Sequence, residues 1–162
     1  MLSIPVISLV ISARLHHQNP TLKVGDKVPE TSLTNLQGTI FHFPSHLNKP
    51  VIINFFATWC PPCQSEAPTL ANFAKTHAKQ IKLIMVDRRE GPPLVRQFID
   101  TYHLQGTTTL LDQNNHWATL FGVTGQPETI GIDTKGVIRF HQLGPETASQ
   151  LDDDLTMLLH SH

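Results

Sequence analysis

Cys60 and Cys63 are the two cysteines of this chain, and only Pro61 and Pro62 lie between them. Thiols at that spacing sit about one helical turn apart, where they can close a disulfide and open it again. The run Val51 to Phe56 precedes them and the helical spacing of Ala67, Leu70, Ala71, Phe73 and Ala74 follows. Cys60 is therefore expected at a helix N-terminus, where free N–H groups and the helix dipole favour thiolate over thiol. The thiolate is the attacking species in disulfide exchange. Cys60 is accordingly the expected nucleophile and the more exposed thiol, and Cys63 the resolving one. The competing readings are a structural pair or half of a zinc site. Zinc takes four ligands, and no second Cys pair or suitably spaced His accompanies the motif, so no metal is expected.

The two prolines bear on direction. Neither Pro61 nor Pro62 carries an N–H to stabilise a Cys60 thiolate, leaving the dipole and the Cys63 N–H. The expected thiol pKa then lies nearer ~7 than ~3.5, which makes the pair a reductant rather than a strong oxidant. Glu66, one turn beyond Cys63, is a candidate to tune the thiols; its plainer role is a solvated first-turn glutamate favoured by the dipole. Trp59 and Pro62 are candidates for an apolar rim, whereas Trp117 and Tyr102 read as core.

These residues need a strand and a helix to hold them. Pro50 to Phe56 reads as a buried central strand, since it is almost continuously apolar. A helix is expected from Pro62 to about Lys79, kinked at Pro68, which lacks an N–H and crowds the preceding turn. Ser32–Thr34 and Thr39–Phe43 alternate around Gly38 as a hairpin. Ile81–Val86 reads as a second core strand closed by Asp87, and a helix bearing Leu94, Val95, Phe98, Ile99 and Tyr102 follows Pro92-Pro93. Thr107–Leu111 suggests a short strand and Trp117, Leu120 and Phe121 a short helix. Thr129–Ile132 and Val137–Phe140 form a hairpin, before a helix with Leu151, Leu155, Leu158 and Leu159. The alternation implies an α/β fold, a central mixed sheet flanked by helices with an N-terminal hairpin extension.

Composition excludes some classes. Hydrophobic content of 40% and charge of 15% describe a globular protein, and the formal net charge of −1 offers no basic excess for nucleic acid. Residues 1–20 form a separate signal- or anchor-like segment and polar tail, and 21–162 one domain. Leu2 to Ala13 is apolar and uncharged, too short to span a bilayer comfortably, and similar to the apolar region of a secretory signal without its basic start.

The stretch Phe55 to Pro68, with its Trp-Cys-Pro-Pro-Cys centre, Glu66 and Pro68, resembles the thioredoxin superfamily, and within it the exported TlpA/ResA/CcmG (DsbE) branch. Gly122-Val123-Thr124-Gly125-Gln126-Pro127-Glu128-Thr129 resembles the Gly-Val-x-Gly-x-Pro-Glu-Thr loop of the CcmG type. The likeness runs from about Gly25 to the C-terminus. It implies a thioredoxin-like fold in which Pro127 is cis and faces the disulfide, with Gln126 exposing backbone to an extended substrate. Glu128 then contacts partners or caps the loop. Asn54 stands where thioredoxin has a buried aspartate, so that base is absent and Glu66 is the nearest alternative.

The resemblance further implies a periplasmic or exported disulfide reductase, anchored or released, with no cofactor beyond the Cys60–Cys63 disulfide and acting as a monomer. Its implied partners are a disulfide-bearing protein, such as apocytochrome c or an upstream component of its maturation, and a membrane thiol reductant of CcdA/DsbD type. Two alternatives use the same thiols: a general oxidase or isomerase with the opposite driving force, and a non-enzymatic haem or metal chaperone.

Overall fold

A computed structural model describes residues 21–43 and 47–161. The signal- or anchor-like segment expected over residues 1–20 lies outside them. Along the chain run β1 (Thr31–Asn35), β2 (Ile40–Phe43), β3 (Val51–Phe56), α1 (Pro61–Thr76), β4 (Lys82–Arg88) and α2 (Pro92–Thr101). There follow β5 (Thr108–Asp112), α3 (His116–Leu120), β6 (Glu128–Ile132), β7 (Ile138–Leu143) and α4 (Ala148–Leu159). The strands form one mixed sheet in the order β2-β1-β5-β4-β3-β6-β7. β3, β4 and β5 are parallel neighbours, while β1, β2, β6 and β7 join antiparallel. Among the described residues, no helix is long and apolar enough to cross a membrane.

Both faces of the sheet are covered, which is why its central strands read as apolar runs. The pleat sends Ile52 and Phe56 of β3 into a core shared with α1, α2 and α4. Val51, Ile53 and Phe55 enter a second core with Val28, Phe43, Trp117 and Phe121. Asn54 shares the face of Ile52 and Phe56 and so lies beneath α1. Gly131 of β6 pairs with Phe140 of β7, whose ring occupies the space a Cβ would need.

Element bounds differ from the sequence expectation in two informative places. β4 does not stop at Val86: Asp87 is buried and paired in register with Phe56 and Leu111, and Arg88 with Asp112. The expectation failed because a charged residue at a strand end reads as a stop, whereas here neighbours on both sides continue the ladder. α1 ends at Thr76, where the His77 N–H closes on the Phe73 carbonyl. It runs through Pro68 as one element, and Pro68 lies on the exposed side of the helix.

Candidate functional site

The site begins where β3 ends. A turn closed by the Cys60 N–H on the Ala57 carbonyl delivers Cys60 to the N-cap of α1, with Pro61 and Pro62 filling the first helical positions. Proline suits those positions because their N–H groups have no intrahelical acceptor. Cys60 and Cys63 are joined as a disulfide with their Cα atoms 5.3 Å apart. The Cys63 N–H donates to Cys60 Sγ at 3.3 Å, so the sulfur occupies the place of an N-cap oxygen.

The expected difference in exposure between the thiols is absent. Cys60 is 3% exposed and Cys63 2%. Both sulfurs are drawn under the turn by the bond between them, and Trp59, 65% exposed, takes the outer position together with Pro61 and Pro62. What separates the cysteines is what they face. Cys60 Sγ lies 3.6 Å from the Gln126 carbonyl oxygen, across from the β6 end of the sheet. The Gln126–Pro127 peptide bond is cis, Gln126 is half-buried and Pro127 is buried. Gln126 is thus the more accessible of the two residues that face the disulfide.

Residues 23–155 match the Redoxin family. This chain belongs to the Redoxin family. It is 32% identical over 137 residues to the thiol:disulfide interchange protein DsbE of Vibrio cholerae, covering 83% of this chain and 73% of that protein. It is 27% identical over 135 residues to the thiol-disulfide oxidoreductase ResA of Bacillus thuringiensis subsp. konkukian, over 83% and 78% of the two chains. The solved structure of Mycobacterium tuberculosis DsbF superposes with a TM-score of 0.74 at 31% identity, over 79% of this chain and 94% of that one. The fold is thioredoxin-like, and this Redoxin is a thiol–disulfide oxidoreductase of the ResA/DsbE type carrying a Cys60–Cys63 pair.

Beneath the disulfide of this Redoxin lies a buried polar chain. Glu66 is 3% exposed, not the solvated first-turn residue that the dipole alone would predict. It lies one helical turn from Cys63, the spacing that puts two side chains on one face of a helix. Asn54 Nδ2 donates to Glu66 Oε2 at 3.2 Å and to Thr129 Oγ1 at 3.0 Å, and the Glu146 N–H donates to Glu66 Oε1 at 2.7 Å. Burial raises the Glu66 pKa, against the lowering pull of the Glu146 N–H and the Asn54 amide. Asn54 thus acts on the carboxylate, not on the sulfurs.

Glu146 was not legible as a site residue. It is 4% exposed, and among the described residues its carboxyl oxygens have no partner of good hydrogen-bond geometry. Burial and the nearby Asp154 carboxyl push its pKa up to about 8, with Glu66 adding to the rise and the Thr129 hydroxyl opposing it. A glutamate between Pro145 and Thr147 just ahead of a helix reads as a loop residue; nothing in its neighbours signals that it packs beside Glu66, 80 positions away.

Glu128 takes the loop-capping role of its two alternatives. Its side chain is buried, so it offers no surface to a substrate. Oε1 accepts from the Gly125 N–H at 2.6 Å and from the Thr124 N–H and hydroxyl at 3.0 Å, and Oε2 pairs with His141 Nε2 at 2.7 Å. Burial alone would raise its pKa, but the bonds from His141, Gly125 and Thr124 outweigh it and hold the carboxyl below the ordinary range. Trp117 is fully buried, with its Nε1–H on Thr31 Oγ1 at 3.0 Å, and Tyr102 packs against Phe98; neither belongs to the site.

Proposed function

We propose that this Redoxin is a disulfide reductase for protein substrates outside the cytoplasmic membrane, working through Cys60 and Cys63 with no further cofactor. The observation that carries the reading is a disulfide at the N-cap of α1 whose Cys60 sulfur faces the carbonyl of Gln126. In the reduced protein, the Cys60 thiolate attacks one sulfur of a substrate disulfide. A mixed disulfide forms and the other substrate sulfur leaves as a thiolate. Cys63, deprotonated in turn, attacks Cys60 Sγ, releases the second substrate thiolate and closes Cys60–Cys63. Two electrons pass to the substrate, and the two released thiolates take up protons.

Glu66, buried one helical turn from Cys63 with its carboxyl pKa raised by burial, is the group we assign to accept the Cys63 proton. Direction rests on the helix start: of the first three helical positions only Cys63 supplies an N–H to the Cys60 sulfur. The reduced form is less stabilised than in an oxidase, which favours reduction of substrates. The names of the relatives support a substrate that is itself a protein disulfide. By the same likeness we assign the haem-attachment cysteines of apocytochrome c as the substrate, a membrane thiol reductant of CcdA/DsbD type as the electron donor, and the periplasmic side of the membrane as the place of action.

Trapping tests this directly. Cys63→Ser should accumulate a mixed disulfide on Cys60 with cytochrome-maturation proteins. A broad sample of secreted proteins on Cys60, or a strongly oxidising equilibrium potential against glutathione, would sink the reductase reading.

A further inference from the structure

Arg88 at the end of β4 and Glu90 two residues on reach the two sides of the dithiol. On one side, Glu90 Oε2 accepts the Thr58 N–H and Oε1 accepts the Thr58 hydroxyl, each at 2.6 Å. Thr58 is two residues before Cys60, in the turn that sets the sulfur's position. On the other side, Arg88 Nη1 donates to the Gly125 carbonyl at 3.0 Å and to Gln126 Oε1 at 2.9 Å. Gln126 is the residue whose own carbonyl faces Cys60 Sγ.

Three features show that this is a built arrangement. Arg89, between the two, is a non-glycine residue at φ 73°, a left-handed conformation that costs free energy and persists only where the surroundings hold it. That twist lets the Glu90 N–H close on Asp87 Oδ2 at 2.9 Å and turns Glu90 towards Thr58. Gly125, finally, has its N–H taken by Glu128 and its carbonyl by Arg88, so charged side chains hold both of its polar groups. Bonds of this kind are stronger than neutral ones and fix geometry as well as energy.

We propose that Arg88 and Glu90 are positioning residues that set the two walls of the substrate groove, Glu90 the Cys60 wall and Arg88 the Gln126 wall. The assignment rests on the reductase reading proposed above, with an extended protein substrate laid between Cys60 and Gln126. It predicts different signatures for the two. An extended protein substrate meets both walls, whereas a small disulfide needs only the thiol. Loss of Arg88 should therefore lower reactivity towards proteins more than towards small disulfides, and loss of Glu90 should lower both.

The test uses the reduced full chain in single turnover, followed by tryptophan fluorescence, against insulin and against bis(2-hydroxyethyl) disulfide. Arg88→Met should lower the ratio of the two rate constants about tenfold, the scale of lost charge-assisted bonds, and Arg88→Lys should recover part of it. Glu90→Ala should lower both rate constants by a similar factor. An unchanged ratio in Arg88→Met overturns the Arg88 assignment, and wild-type rates in Glu90→Ala overturn that of Glu90. If Arg88→Met does not fold, Arg88→Gln, which removes the charge and shortens the side chain that reaches Gly125 and Gln126, takes its place, and an unchanged ratio there overturns the assignment as well. Wild-type protein that reduces no insulin, or reduces it as well with Cys60→Ser, overturns the parent reading and this inference together.

Discussion

The Cys63 N–H donates to the Cys60 sulfur at 3.3 Å, and Pro62, the other position from which an N-cap receives a donor, has none to give. Replacing Pro62 by Ala supplies the missing N–H. The added donor stabilises the reduced form, so Pro62→Ala should make the pair more oxidising by about 20–30 mV and lower the Cys60 thiol pKa. Equilibration with glutathione and pH-dependent alkylation measure the two. A potential that stays put or moves the other way would remove the prolines from the account of direction.

The role proposed for Glu66 concerns the second step more than the first. Glu66→Gln keeps an oxygen for the Glu146 N–H but cannot accept a proton. Decay of the mixed disulfide on Cys60 should slow about tenfold or more near neutral pH, within the usual range for general-base contributions. Alkylation of Cys60 should change little. Stopped-flow measurement of both steps decides it, and equal slowing of the two would assign Glu66 a purely structural role.

The Glu146 carboxyl has a folded-state pKa raised to about 8 from an ordinary value of 4.5. Between those values the folded protein binds more protons than the unfolded chain, so stability from this group falls as pH rises. It is lost progressively from about pH 4.5 to about pH 8 and is constant beyond. Glu146→Gln, neutral throughout, should flatten that decline. The variant should match wild type within about 1 kcal/mol at acid pH and exceed it above pH 8. Urea unfolding across the range provides the measurement; parallel curves for both proteins would contradict the assignment.

Glu128 has the opposite sign. Its folded pKa is depressed, so its contribution is present above the ordinary carboxylate range and disappears as pH falls through the folded value. Glu128→Ala removes the acceptor for Thr124, Gly125 and His141 together and should cost about 2–4 kcal/mol, with Glu128→Gln costing less. Denaturant unfolding at neutral pH compares the three proteins.

Gly131 tests the sheet edge that carries the Gln126 loop. A Cβ there collides with the Phe140 ring, so Gly131→Ala should destabilise by about 1–3 kcal/mol, the scale of overpacking. Pairing it with Phe140→Ala makes room and should recover part of the loss, as a double-mutant cycle would read.

Local chemistry was legible along the chain because it depends on near neighbours. Two thiols one turn apart, prolines at the first helical positions and an apolar strand ahead of them define the redox pair from residues 51 to 63 alone. The same pattern located every helix and strand that holds it, since covered sheet faces make central strands continuously apolar. Motif resemblance supplied the Gln126–Pro127 loop as the facing element.

Only the tertiary structure decided what surrounds those sulfurs. Glu66 meets Asn54 and Glu146 because β3, α1 and the loop before α4 close on one face of the sheet. Arg88 and Glu90 reach Gln126 and Thr58 because β4 runs parallel beside β3 and carries its charged end past both. Glu128 turns inward because its loop needs an acceptor more than the surface needs a charge. Each of these depends on segments far apart in the chain, whose partners are set by packing and burial rather than by spacing. The dithiol was written in five residues; the groups packed around it were written in the fold.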